Sequence, residues 1–215
     1  MQISESAGPL VVDRPAAGDD LVAAKHALRT RIRAERRSRP SRQQGSIADA
    51  LVSVVLEIPE IMAADVVALY ASIAGEPDTA PLRSALRSAG VKVLLPVVLP
   101  DDDLTWAVDD GRTVPAAVKG GPVPTSDPLG PGALASADAV LVPALAVDTL
   151  GRRLGQGSGC YDRSLRRAHP AAAVVAIVHD EELLDAAVEP VPAEAHDVLA
   201  GLVATPTRWL RLNSC

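Results

Sequence analysis

Apolar residues recur along this chain at two periods. Leu21, Ala24, Leu28 and Ile32 stand at helical spacing, which predicts a basic helix over residues 20–38, ended by Pro40. A second helix is expected over 42–57. Val66–Tyr70 reads as a short strand. Thr79 is expected to cap a helix running to about Ala89, where Gly90 stops it. Val91–Leu95 reads as the next strand, closed by Pro96. Residues 100–135 are rich in Asp, Pro and Gly, and predict short antiparallel pieces around Leu104–Val108 and a long loop. Val140–Val147 reads as a buried strand, and in the run of elements the strand before the glycine loop is placed at 139–143. A glycine loop and a helix over Tyr161–Arg167 follow it. Val174–Val178 is expected as a strand, Glu181–Ala187 as a short helix and Val198–Val203 as a last strand. Strands alternating with helices predict an α/β fold: three layers, with a largely parallel sheet and helices on both faces.

The chain of 215 residues suits a single domain over 20–215, preceded by a loose tail over 1–19 that lacks periodicity. Hydrophobic residues make up 48%, enough for a core, but the only aromatics are Tyr70, Trp106, Tyr161 and Trp209. The core must therefore be aliphatic, and a scarce Tyr beside a glycine loop is expected to make a contact. A net charge of −6 argues against a general nucleic-acid binder. No apolar stretch reaches the ~20 residues of a membrane span, and no secretory signal opens the chain. A cytoplasmic monomer is expected. Cys160 and Cys215 match no metal or disulfide pattern, and His169, His179 and His196 have no ligand spacing.

The passage from 139 to 163, AVLVPALAVDTLGRRLGQGSGCYDR, carries most of the chemistry. Gly151, Gly155, Gly157 and Gly159 let the backbone turn and come close to a ligand. Such a loop feeding a helix presents free N–H groups and a positive dipole end, which favours phosphate. Arg152 and Arg153 add cations. A Walker A loop is excluded, because no Gly-Lys-Ser/Thr ends the run. A dinucleotide fingerprint fits two glycines, but its third would fall at 160, where Cys160 stands. Asp162 has two open readings: compensation of the helix dipole, or a magnesium ligand beside a phosphate cradle.

Lys25 and Arg29 are four apart and share a helix face. Eight Lys or Arg lie between 25 and 42, so a solvated basic face is the simpler reading of that pair. Glu76 follows a strand and is separated from the next helix by Pro77. A carboxylate at the C-terminal end of a strand is well placed for a ligand. Asp197, before the last strand, has no meaning in isolation.

Together these segments resemble the 5-formyltetrahydrofolate cyclo-ligase (methenyltetrahydrofolate synthetase) family over about residues 22–205. The strongest part is LVPALAVDTLGRRLGQGSGCYDR. KHALR at 25–29, YASIAGEPDT at 70–79 and KVLLPVV at 92–98 add to it. The resemblance implies a fold like the ribose-5-phosphate isomerase and CoA-transferase group. It also implies ATP and Mg²⁺ as cofactors and a reduced folate as substrate. By that likeness ATP would meet Lys25, His26, Ala27, Leu28 and Arg29, and then Arg153, Leu154, Gly155, Gln156, Gly157, Ser158, Gly159, Cys160 and Tyr161. The folate would meet Ala71, Glu76 and residues 156–160. Asp162 and Asp197 match the magnesium positions. No residue is assigned as general acid or base. Cys160 departs from the pattern where an aromatic ring is usual, and Gln156 and Ser158 where a basic residue is frequent. A non-catalytic nucleotide- or folate-binding regulator of the same fold is the alternative.

Overall fold

The computed structural model describes residues 18–40, 44–117, 120–194 and 197–212. The expected tail falls almost wholly outside the described residues, as do His196 and Cys215.

The first helix, α1, spans Gly18–Ser38. Its buried stripe is Leu28, Ile32 and Arg36, one helical turn apart. Ala24, expected on that stripe, is exposed, because the apolar cluster that receives the helix ends at Leu28. Helices α2 (Gln44–Val55) and α3 (Pro59–Met62) follow, the latter not foreseen. Then come strand β1 (Val66–Ala68), helix α4 (Ala80–Ser88) and strands β2 (Lys92–Val98) and β3 (Leu104–Val108). A small hairpin, β4 (Thr113–Val114) and β5 (Val123–Pro124), precedes β6 (Ala139–Pro143), β7 (Ala146–Asp148) and β8 (Arg153–Leu154). The chain ends with α5 (Cys160–Leu165), β9 (Ala173–Ile177), β10 (Leu183–Leu184), β11 (Leu202–Ala204) and β12 (Trp209–Arg211).

The main sheet has the order β12-β11-β9-β6-β1-β2-β3. Its five inner strands are parallel and its two edge pairs antiparallel. Both faces are covered. Val67, Leu69, Val93, Leu95, Leu141 and Val175 pack towards α2 and α4. Ala68, Leu94, Val140, Val142 and Ala176 face the opposite layer, with Leu165 of α5 and the fully buried Trp106. This alternation between faces is the two-residue period of a strand buried on both sides. A three-stranded sheet, β10-β7-β8, packs with Leu28 and Ile32 of α1 in a third cluster. Among the described residues no helix is long and apolar enough to cross a membrane.

Four expectations need correction. The bounds 139–143 match β6, but the longer run 140–147 is two strands in two sheets. After Pro143 the Ala144 carbonyl accepts from buried Arg36 (2.7 Å), and Leu145 N–H turns to Leu154 O (2.7 Å). Both pieces are buried, so the apolar pattern does not break where the chain changes sheet. Pro96 does not close its strand but lies inside β2, opposite Trp106. Asp109 N–H bonds Val93 O and Leu69 N–H bonds Leu94 O, so even positions of β2 face the β1 side. Since β1 ends at Ala68, position 96 has no ladder partner to lose there. Thr79 does not cap α4: its hydroxyl donates to Tyr70 O (2.7 Å), while Asp78 accepts from Ala80 N–H (2.9 Å). Finally, Glu181–Ala187 is not a helix. A single 3₁₀ turn, Asp180–Glu182, leads into β10, which pairs with β7. Glu182 is buried against Arg36, so this segment is pinned inward.

Candidate active site

From β1 the chain crosses to β2 on one side, while β6 joins β1 on the other. That reversal opens a crevice at the C-terminal ends of β1 and β6, where open α/β sheets bind ligands. A cavity of about 790 Å³ occupies it, within the size range of small-molecule sites. Lys25, Arg29, Arg153 and the glycine loop line one part, and Tyr70, Ala71 and Glu76 another. Pro96, Val98, Leu104, Pro122 and Val123 form an apolar wall.

The glycine loop links β8 to α5. Gly157 has φ +113° and Gly159 φ +68°, which side-chain-bearing residues rarely adopt. The loop is fastened to α1. Arg29 Nε donates to Gly155 O (2.9 Å), and Arg33 Nη2 donates to Gln156 O (3.1 Å) and Gln156 Oε1 (2.8 Å). The basic face of α1 is therefore more than solvated charge. Within KHALR, Lys25 and Arg29 reach the cavity, His26 and Ala27 are exposed, and Leu28 packs in the core.

Lys25 Nζ lies 2.9 Å from Glu194 and 3.1 Å from Asp197. Burial would lower the Lys25 pKa, but the bonds to Glu194 and Asp197 outweigh it and hold the ammonium above its ordinary value. Arg153 pairs with Asp162 through one guanidinium nitrogen. Its Nη1 is buried and has no partner among the described residues. An orphaned buried cationic N–H calls for an acceptor in the cavity. Asp162 also accepts from Val198 N–H (3.3 Å), which draws the 197–198 segment beside it. Two carboxylates distant in the chain are thus brought to one patch, each held by a cation.

On the facing wall, the Glu76 carboxylate accepts from Ile73 N–H (3.1 Å). Burial pushes this carboxyl above its usual range, against the opposing pull of that N–H and of Arg36. Tyr70 is buried and donates to Pro77 O (3.3 Å). Tyr161 packs between the two main clusters, and burial pushes its phenol up. Cys160 is buried, with Sγ 3.1 Å from Ser158 Oγ.

Some cavity residues escaped the sequence reading: Arg163, Arg166, Glu194, Ile73 and Gly121. Gly121 had a legible signal in the Gly-Gly-Pro run. A Cβ there would sit 2.1 Å from Ala71 O, so the loop rests directly on the wall that holds Tyr70, Ala71 and Glu76.

Residues 22–206 match the sequence profile of the 5-formyltetrahydrofolate cyclo-ligase family. The chain is 38% identical over 191 residues to the 5-formyltetrahydrofolate cyclo-ligase of Mycolicibacterium smegmatis, covering 86% of this chain and 95% of that protein. It is 31% identical over 181 residues to the Escherichia coli protein of the same name, covering 82% and 97%. Among solved structures, the 5,10-methenyltetrahydrofolate synthetase of Aquifex aeolicus superposes with a TM-score of 0.73 at 24% identity, covering 89% of this chain and 94% of that one. The Mycoplasma pneumoniae synthetase gives 0.64 at 20% identity, covering 83% and 96%. These two establish likeness of fold, which agrees with the parallel sheet described above. With the profile and the bacterial relatives spanning nearly the whole described chain, the conclusion is direct: this chain belongs to the 5-formyltetrahydrofolate cyclo-ligase family.

Proposed function

We propose that the chain converts 5-formyltetrahydrofolate to 5,10-methenyltetrahydrofolate, with ATP activating the formyl oxygen. The observation that carries this reading is that Arg153, whose buried Nη1 has no partner among the described residues, lines one cavity with the glycine loop, Lys25 and Arg29. A triphosphate would satisfy it.

The chemistry needs little covalent help. A formyl amide is a poor electrophile, and its oxygen a poor leaving group. Transfer of the γ-phosphoryl group to that oxygen makes it a phosphate ester of an imidate. N10 of the same substrate then attacks the formyl carbon, a five-membered ring closes, and phosphate departs with the oxygen and takes up the N10 proton. Phosphoryl transfer depends on in-line positioning and on neutralised oxygens. Lys25, Arg29 and Arg153 would neutralise the phosphates, and the main-chain amides of 155–159 would cradle them. The Ala71–Glu76 wall would hold the folate so that its formyl oxygen faces the γ-phosphate. Ring closure is intramolecular, so no side chain is assigned as general base.

Asp162 and Asp197 would hold the magnesium ion. Their hard oxygen donors fit it. A site with few protein ligands suits Mg²⁺, which keeps waters and phosphate oxygens. When bound, magnesium supplies charge neutralisation of the phosphate oxygens.

The test is the appearance of methenyl absorbance when protein, ATP, Mg²⁺ and 5-formyltetrahydrofolate are mixed. Folded protein that leaves the spectrum unchanged would refute the proposal.

A further inference from the structure

Two arginines on α5 and just beyond it line the cavity and belong to none of the roles above. Arg163 and Arg166 are three residues apart, which puts them on neighbouring positions of one helical face. The next cation, Arg167, is neutralised by Asp103 in a bidentate pair (2.8 and 2.7 Å). The other two are not. Arg163 donates to the carbonyls of Ser158 and Asp102, with no carboxylate partner among the described residues. Arg166 is exposed and has no hydrogen-bond or ion-pair partner among the described residues. Arg163 lies in the field of the Asp103 carboxylate, whereas Arg166, at the cavity edge, has no carboxylate partner among the described residues.

We propose that Arg163 and Arg166 form an anion subsite that binds the carboxylates of the folate's glutamate. This rests on the folate reading of the cavity. The shared chemistry is an oxyanion on a guanidinium fork, and a carboxylate or a phosphate could supply it. The surroundings favour the carboxylate. Arg163 is tied to Asp102, at the turn that leads into β3, and Leu104, two residues on, belongs to the apolar wall with Pro96 and Val98. That wall suits the flat rings of a folate rather than a triphosphate. Arg163, of α5, reaches the turn before that wall through Asp102 O. Arg166 is also exposed, which suits a glutamate that stays hydrated at the cavity edge.

The experiment is a cycle between ligand and protein. Equilibrium binding of 5-formyltetrahydrofolate and of 5-formyltetrahydropteroate, which lacks the glutamate, is measured for wild type and for Arg166→Ala and Arg166→Glu. Because Arg166 is exposed and unpartnered, both variants should fold, and circular dichroism checks this. Removing the glutamate should weaken wild-type binding by about 3- to 10-fold and the variants' binding much less. The same loss in wild type and variants would overturn the proposal. So would variants that keep their response to the glutamate but bind a non-hydrolysable ATP analogue more weakly, since the anion would then be phosphate. Absence of turnover in wild type would refute the activity while leaving this binding comparison intact. Failure of wild type to bind either folate would overturn both.

Discussion

Lys25 Nζ sits 3.1 Å from Asp197, so a cation expected at phosphate is paired with a carboxylate expected at magnesium. Arg153 and Asp162 repeat the arrangement. In each pair the two opposite charges hold each other, and this spares each the cost of standing alone in a partly buried site. Binding a phosphate together with a divalent cation can exchange these partners without creating an unpaired charge.

Lys25→Ala should therefore weaken nucleotide binding by about 10- to 100-fold, the range for losing a hydrogen bond to a charged group. Calorimetry with a non-hydrolysable ATP analogue and Mg²⁺ measures it. Unaltered affinity would remove Lys25 from the phosphate site.

A second expectation concerns Gly121. Its Cβ would lie 2.1 Å from the Ala71 carbonyl, which is backbone and cannot rotate away. Gly121→Ala should lower stability by about 1–3 kcal/mol and raise the KM for the folate more than that for ATP. Denaturant melts and steady-state kinetics give the two readings. An equal rise in both KM values would mean that the loop does not act on the folate wall specifically.

Glu76 provides a pH signature. Burial raises its folded pKa, so its contribution to stability is fully present below the unfolded value of ~4.3 and is lost as pH rises through the folded value. Glu76→Gln should then flatten the stability profile over that window while weakening folate binding, since the amide cannot ionise. Melts from pH 4 to 8 would reveal it, and parallel profiles for wild type and variant would count against a raised carboxyl.

Asp109 works in the opposite direction. Burial opposes its charge, but Arg83 (2.8 and 2.9 Å), Gly111 N–H (3.0 Å) and Arg87 (2.6 Å) overcome it and hold the carboxyl below its ordinary range. A depressed folded pKa gives stability that is present above the unfolded value of ~3.9 and lost as pH falls through the folded one. Asp109→Ala leaves buried Arg83 without its carboxylate partner and should cost about 3–5 kcal/mol at neutral pH, with a smaller difference from wild type in acid. Equilibrium denaturation at neutral and acid pH tests both.

Legibility in the sequence followed the range of the interaction. β1, β3, β9, α1 and the glycine turn rest on local periodicity and on glycines, and they lie close to where the pattern puts them. The end of β6 at Pro143 agrees with the 139–143 reading, but β7 as a separate strand was not legible because both halves of the run are buried. Arg36 looked like one more basic residue on a solvated helix, yet it is buried with Glu182 (2.7 Å). Nothing near Arg36 in sequence announces that partner.

By itself the sequence determined the α/β class, the phosphate-suited turn before α5 and the family to which these motifs belong. Those follow from side-chain period, glycine conformation and residues close together in the chain. The tertiary structure alone decided which charges meet. Lys25 finds Asp197 across 172 positions, and Gly121 is small because Ala71 arrives from the loop after β1. A chain's local pattern encodes which face is buried. Its long-range partners depend on crossovers that bring separate segments to one point in space.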